Sequence, residues 1–474
     1  MKFTIQVLIE SPDALPLSVP IQTLERSCER VEDVGVRLEE AKAVLHGLQE
    51  QLVGQQLAGY LDAHRPCPGC HRLRVIQGYH PLRFRSAFGD IVLRGPRWRR
   101  CACERSTQTN YSALNSILTT HTAPELEFLQ AKWAAHLSFA AVADLLHDVL
   151  PVASCLNGET IRMHVFETAE RLAVELGPEQ FAFDAGCQLE IEASAEPRPP
   201  IAVGLDGGYV RGRERPPGGT GCFEVIAGKS IPEDGPAKVF AGVSRFATKP
   251  KRRLHEVLQS QGVLPRQQVT FLSDGGDTVR ELPAYLHPHS EHILDWFHIA
   301  MRVEQLLQTA RGFRGTDDGP MTKENILTAL ERVKWFLWHG NLFRADETLT
   351  DLMFEVDSAM EEDREARRPT HLVLKKLARS LEEFSTYIDN NASGIVNYGE
   401  RHRCGERIST GFVESTINQL VARRFVKKQQ MRWTPRGAHL LLQVRVQALN
   451  DDLHGTFERW YPDLRRRQEE KLAA

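Results

Sequence analysis

No run in the 474-residue chain is long and apolar enough to cross a bilayer, and the opening stretch Met1–Glu10 is too short for a secretory signal. A cytoplasmic protein with no membrane partner is the expectation. Strong net charge is missing as well. Fifty-nine Lys and Arg against 62 Asp and Glu leave −3, so any nucleic-acid affinity must come from local clusters. Cysteine is sparse at nine residues, and a reducing compartment disfavours a disulfide framework. What remains is an ordinary globular composition over a length that suits about three domains. One local absence is sharper. Between Ser415 and Val446 there is no acidic residue, while Arg423, Arg424, Lys427, Lys428, Arg432, Arg436 and Arg445 supply seven positive charges.

A single carboxylate, Glu414, stands just ahead of that basic run in Gly411-Phe-Val-Glu-Ser-Thr-Ile-Asn-Gln-Leu420. Val413, Ile417 and Leu420 recur at helical spacing, and Glu414 lies off their stripe. A lone Glu on a helix is usually solvated, so its interest depends on partners. Two upstream segments share one grammar: Ile201-Ala-Val-Gly-Leu-Asp206-Gly-Gly and Val269-Thr-Phe-Leu-Ser-Asp274-Gly-Gly. Each reads as a buried strand ending in Asp, at the edge where open α/β sheets place ligands. The simpler alternative is that each Asp only starts a turn. Two matching Asp plus the Glu favour a carboxylate trio that can hold divalent metal ions.

Cys67-Pro-Gly-Cys70 and Cys101-Ala-Cys103 bracket 30 residues with strand-like alternation. Paired spacing of this kind describes a zinc ribbon with four thiolate ligands, rather than four unrelated buried thiols. Residues 71–100 carry eight Arg and one Asp, which suits phosphate contact.

The remaining divisions follow from periodicity. Residues 1–64 read as a helical arm, 65–105 as the ribbon, and 106–185 as a helical DNA-binding region. In that region Asn157–His164 opens a helix whose Arg162 and His164 fit a helix-turn-helix about as well as plain packing. A linker with three prolines, Glu190–Pro200, precedes the catalytic block. Its first part, 190–298, gives three strands and then alternating helices and strands, including a helix over Thr278–Leu286. Acids end the first and fourth strands, which is the RNase-H order. Residues 299–404 read as an all-helical insertion, 405–450 as the second catalytic part, and 451–474 as a C-terminal tail. The fold class is therefore multidomain α/β, with a mixed sheet interrupted by helices. Asp295-Trp-Phe-His298 sits where strand meets insertion, either capping a helix or shaping the metal site. Trp433 either stacks on an unpaired base or packs in a core.

The segments LDGGYVRGR from Leu205, FLSDGGDTVRELP from Phe271, DWFH from Asp295 and GFVESTINQLVARRFVKKQQMRW from Gly411 resemble bacterial insertion-sequence transposases of the DDE, RNase-H-like type. The likeness is closest to the ISKra branch, which carries an N-terminal Cys ribbon, and it covers about Cys67 to Asn450. It implies that Asp206, Asp274 and Glu414 form a catalytic triad binding Mg²⁺ or Mn²⁺, with Asp295 and His298 in support. It also implies structural Zn²⁺ on Cys67, Cys70, Cys101 and Cys103. The partners it implies are double-stranded transposon ends and target DNA, bound by a homo-oligomer. Arg423, Arg424, Lys427, Lys428, Arg432 and Trp433 are the expected DNA contacts. An RNase-H-like nuclease or resolvase without strand transfer, or a non-catalytic DNA-binding regulator, would keep parts of the same set.

Overall fold

The computed structural model describes the chain except residues 12–13, 28, 32–33, 105–107, 178–198, 215–220, 245, 265–266, 277–289, 314–320, 427–431 and 463–474. The linker and the helix expected over 278–286 fall largely or wholly outside the described residues. The chain is mixed α/β, and no described helix is long and apolar enough to cross a membrane. It divides into two units, Met1–Arg171 with Asp451–Ala474, and Leu172–Asn450.

The first unit opens on an antiparallel hairpin, β1 (Lys2–Ser11) and β2 (Ala14–Glu25). The expected helical arm thus begins with strands, not helix, and β2 carries two prolines. In a two-stranded sheet both strands are edges, so Pro16 and Pro20 cost the ladder little. Helix α1 (Leu38–His64) then buries Val53 and Leu57 against Leu82, Ile91 and Leu93 of β3 (Ile76–Ser86) and β4 (Gly89–Arg99). Residues 1–64 are thus no detached arm, because their helix shares a core with the Cys-bracketed sheet. The β3–β4 turn closes at Gly89, whose φ of +112° suits glycine. A third strand, β5 (Asn110–Ser112), pairs with the end of β4.

Three helices follow: α2 (Pro124–Ala134), α3 (Phe139–Val149) and α4 (Gly158–Glu175). Ser138 caps α3 by accepting from Ala141 N at 3.2 Å, and Asn157 caps α4 by accepting from Thr160 N at 3.0 Å. The expected C-terminal tail contains a helix, Leu453–Trp460, whose Phe457 meets Phe128 of α2 edge-on at 5.5 Å.

Burial pushes the Glu127 carboxyl of α2 up to about 7; the nearby Glu167 adds to the shift and Arg171 opposes it. The fold therefore favours the protonated acid. Stability from this group is full below about pH 4.5 and falls as pH rises towards about 7, by roughly 1–3 kcal/mol. Urea denaturation from pH 4.5 to 7.5 should show that decline, and Glu127→Gln should flatten it. An identical slope in the variant would assign the decline to another group.

The second unit is built on a five-stranded sheet in the order β10-β9-β6-β7-β8. Its strands are β6 (Ile201–Arg211), β7 (Cys222–Ile231), β8 (Lys238–Val243), β9 (Val269–Ser273) and β10 (Glu291–Leu294). The pairs β6–β7 and β7–β8 are antiparallel, while β6–β9 and β9–β10 are parallel. Helix α5 (Pro250–Ser260) covers one face, burying Leu254 and Leu258 with Val203, Leu205 and Phe271.

After β10 come α6 (Trp296–Arg311), α7 (Lys323–Trp338), α8 (Leu342–Glu365) and α9 (His371–Asn390). Their core runs on into the sheet, taking in Leu272, Ile293 and Leu294. The short α10 (Tyr398–Arg403) leads to α11 (Gly411–Ile417). There the expected regular helix gives way to a π-helix, Asn418–Val426. Arg445 of α12 (Pro435–Leu449) donates to two carbonyls of that π-helix. The distances are 3.0 Å to Leu420 O and 2.5 Å to Gln419 O.

Candidate active site

Asp206 lies within β6, not at its end. The strand continues through Gly207 and Gly208, which pair with Ile226 and Val225 of β7. The two glycines do not turn the chain here, contrary to the expectation from the Asp-Gly-Gly pattern. Alternate residues of a strand share a face, so Gly204, Asp206 and Gly208 point the same way. Helix α11 and the start of the π-helix lie over that face. A Cβ on Gly204 would come within 2.2 Å of Val413, and one on Gly208 within 3.3 Å of Ile417. Missing side chains on either side of Asp206 thus admit the helix that carries Glu414. The Gly-x-Asp-x-Gly alternation is visible in the sequence and was the overlooked signal.

Asp274 stands one residue beyond β9 and does start a turn. Its Oδ1 accepts from Gly276 N at 3.1 Å, and Gly275 has φ of +86°. Burial raises the Asp206 carboxyl above the ordinary carboxylate range. The Gly207 N–H, donating at 2.7 Å, opposes the shift; the charges of Asp274 and Glu414 add to it, and His298 lowers it. The four side chains form one electrostatic cluster. Its carboxylates are not drawn tightly together. Among the described residues, the group of ligand atoms lying within 4.8 Å of one another is the cysteine quartet. Glu414 is exposed and Asp274 half-buried.

Of the two roles that the sequence left open for Asp295, the geometry gives the helix cap. Asp295 is fully buried, caps α6 by accepting from Phe297 N at 2.7 Å, and approaches His298 Nδ1 at 3.4 Å. Its other contact is the hydroxyl of Thr410, which donates to Oδ2. Thr410 immediately precedes α11, and Trp296 N donates to Ile408 O at 3.1 Å. A buried carboxylate therefore ties the end of β10 to the base of the Glu414 helix.

The basic run divides. Arg423, Arg432 and Arg436 are exposed, whereas Lys427 and Lys428 lie outside the described residues. Arg424 and Trp433 are corrections to the expected DNA contacts: Arg424 is 1% exposed, Trp433 5%. The Arg424 guanidinium sits over the Trp433 ring at 5.4 Å, and Trp433 packs on Phe425 at 4.9 Å. Trp433 N also donates to Arg211 O at 3.0 Å, which fixes the residue beside the end of β6. Apolar contact outweighs charge at these two positions, and burial lowers the pKa of Arg424 and of Arg445. His164 also turns inward, with Nδ1 2.6 Å from the buried Gln130 Oε1, while the half-buried Arg162 forms an ion pair with Glu159.

The second candidate site is in the other unit. Cys67 and Cys70 precede β3, Cys101 and Cys103 follow β4, and the pairing of those strands brings the four sulfurs together. Cys70 and Cys101 Sγ are 3.4 Å apart, Cys101 and Cys103 Sγ 3.7 Å. Such spacing suits a tetrahedral ion with sulfur bonds near 2.3 Å, so the quartet can hold a metal such as zinc. The Cys103 backbone N–H and then the Cys70 thiol pull the Cys101 thiol down to about 7, while the Cys70 and Cys101 sulfurs push the Cys103 thiol up. Arg74 is buried close by, bonded to the Pro66 carbonyl at 3.1 Å and to the Glu104 carboxylate.

A scan of protein families and a search of curated proteins both return no match to this chain, so its function has to be argued from the residues described above.

Proposed function

We propose that the chain is a DDE transposase of RNase-H-like fold, which binds transposon ends and catalyses metal-dependent DNA cleavage and strand transfer. The carrying observation is the sheet. Counted from β6, its order is 5-4-1-2-3, with the first three strands antiparallel and the last two parallel to the first. This arrangement supports the RNase-H-like reading, because Asp206 lies within one strand and Asp274 just past the end of its parallel neighbour, with the helix bearing Glu414 over the first.

The donor set fits a hard divalent cation. It consists of carboxylate oxygens, among them that of Asp206, which is raised first by burial and then by the charges of Asp274 and Glu414. Asp206, Asp274 and Glu414 would hold Mg²⁺ or Mn²⁺, which supplies charge stabilisation and a more acidic water for in-line phosphoryl displacement. Asp206 anchors the centre because it is fixed in a strand. Glu414 reaches in from a helix held by Thr410 and Asp295, and His298 adds a compensating positive charge when protonated.

DNA backbone contact falls to exposed arginines: Arg83, Arg94, Arg97 and Arg99 on β3 and β4, and Arg423, Arg432 and Arg436 in the stretch after Glu414. The quartet would carry structural Zn²⁺. Joining two ends to one target needs more than one active site, so a homo-oligomer on DNA follows from the reading.

The test incubates the protein and Mg²⁺ with labelled DNA carrying the inverted repeats that flank the gene. Joined products are the expected result. Cuts without joining would replace strand transfer by a nuclease or resolvase activity, and band shifts alone would leave a DNA-binding regulator.

A further inference from the structure

Within its own sheet the turn at Asp274 is held by Ser273, whose Oγ accepts from Gly275 N at 3.2 Å and lies 2.7 Å from His292 Nε2 of β10. The β9–β10 ladder pairs Ser273 with Leu294 and ends with Asp295 N donating to Ser273 O at 2.8 Å. Two residues past Ser273 the backbone enters the left-handed region at Gly275.

A second support comes from the far end of the helical insertion. In the last turn of α9, the Tyr387 hydroxyl donates to the Asp274 carbonyl at 3.1 Å across 113 residues of chain. Arg302 of α6 lies over the Tyr387 ring at 4.0 Å. Just past α9, Asn391 is 4% exposed; its Nδ2 donates to Tyr387 O at 2.8 Å, and a Cβ on Gly275 would lie 2.3 Å from its Oδ1. Next door, the hydroxyl of the fully buried Tyr398 donates at 2.8 Å to Leu294 O, directly before Asp295. Two tyrosines from the returning end of the insertion thus grip the carbonyls at the ends of two adjacent parallel strands.

We propose that the helical insertion is the positioning device for Asp274: Tyr387 and Asn391 hold the Asp274–Gly275 turn, and Tyr398 fixes the neighbouring strand end beneath Asp295. The insertion is then part of the metal site's supporting structure, besides whatever its outer surface does. The inference rests on the carboxylate metal site proposed above. Tyr387 touches no metal or substrate and acts through Asp274, as a hydrogen-bonding neighbour orients a ligand.

Metal binding separates this role from general stability. Mn²⁺ binding to the zinc-loaded full-length protein is followed by electron paramagnetic resonance for wild type, Asp206→Asn, Asp274→Asn, Tyr387→Phe and Gly275→Ala, with the melting temperature of each. Tyr387→Phe keeps the ring and removes one donor. Its Mn²⁺ Kd should rise about tenfold with little change in melting temperature. Gly275→Ala, which crowds Asn391 and strains the turn, should weaken Mn²⁺ binding in the same way and serves as the second variant should Tyr387→Phe prove unstable. Unchanged Mn²⁺ affinity in Tyr387→Phe and Gly275→Ala, with binding lost in Asp274→Asn, would overturn the positioning role and leave the metal site standing. Mn²⁺ binding that Asp206→Asn and Asp274→Asn do not alter would overturn the metal site and this inference with it.

Discussion

Asp206→Asn, Asp274→Asn and Glu414→Gln should each lower DNA cleavage in Mg²⁺ by on the order of a thousandfold or more. Each substitution keeps the side chain's size and removes a charged ligand from a cluster whose members already act on one another. Asp206→Asn should be the cleanest of the three. Asp206 is held within a strand between two glycines, so the amide has room and the sheet no reason to move. DNA affinity should stay the same or tighten slightly, since a negative charge leaves the neighbourhood of phosphate. Cleavage and band-shift assays on the same preparations give both numbers. A variant that cleaves at near wild-type rate excludes its residue from the site.

The second large effect is expected at the cysteine quartet. Freshly purified protein should contain one zinc per chain, and Cys67→Ser should lose it. Apparent zinc-binding free energies in small Cys-rich units are about 10–16 kcal/mol, and they count directly as folding free energy. Cys67 is fully buried, and the sheet it anchors shares its core with Val53 and Leu57 of α1. Loss of the metal should therefore loosen the long N-terminal helix as well as the knuckle. Metal analysis with limited proteolysis reads both effects, with cleavage appearing within Leu38–His64 in the variant. Zinc absent from the wild type, or retained at full occupancy in the variant, would remove the structural role.

Much of this architecture is legible in the residues, for definite physical reasons. Buried strands such as Val269–Ser273 announce themselves as unbroken apolar runs, and Cys pairs at fixed spacing name their partners. The helices of the insertion follow the 3.6-residue repeat of leucines such as Leu374, Leu377 and Leu381. What failed was local chemistry decided by distant neighbours. Asp206-Gly-Gly looks like a turn, yet stays extended because a helix from 200 residues later needs the space over Gly204 and Gly208. Arg424 reads as a phosphate contact in a basic run, yet packs over Trp433. The hydroxyl of Tyr387 carries no sequence signal at all, because its partner is a backbone carbonyl 113 positions away.

The long excursion between β10 and α11 also orders events in time. Asp206 and Asp274 leave the ribosome well before Glu414, which follows Asp274 by 140 residues. At about 5–20 residues per second that interval lasts roughly 7–28 s. Throughout it the nascent chain holds two of its three acids, and Tyr387, which steadies the second, emerges only near the end. On the proposed reading, the nascent chain would stay catalytically inert until Glu414 has emerged.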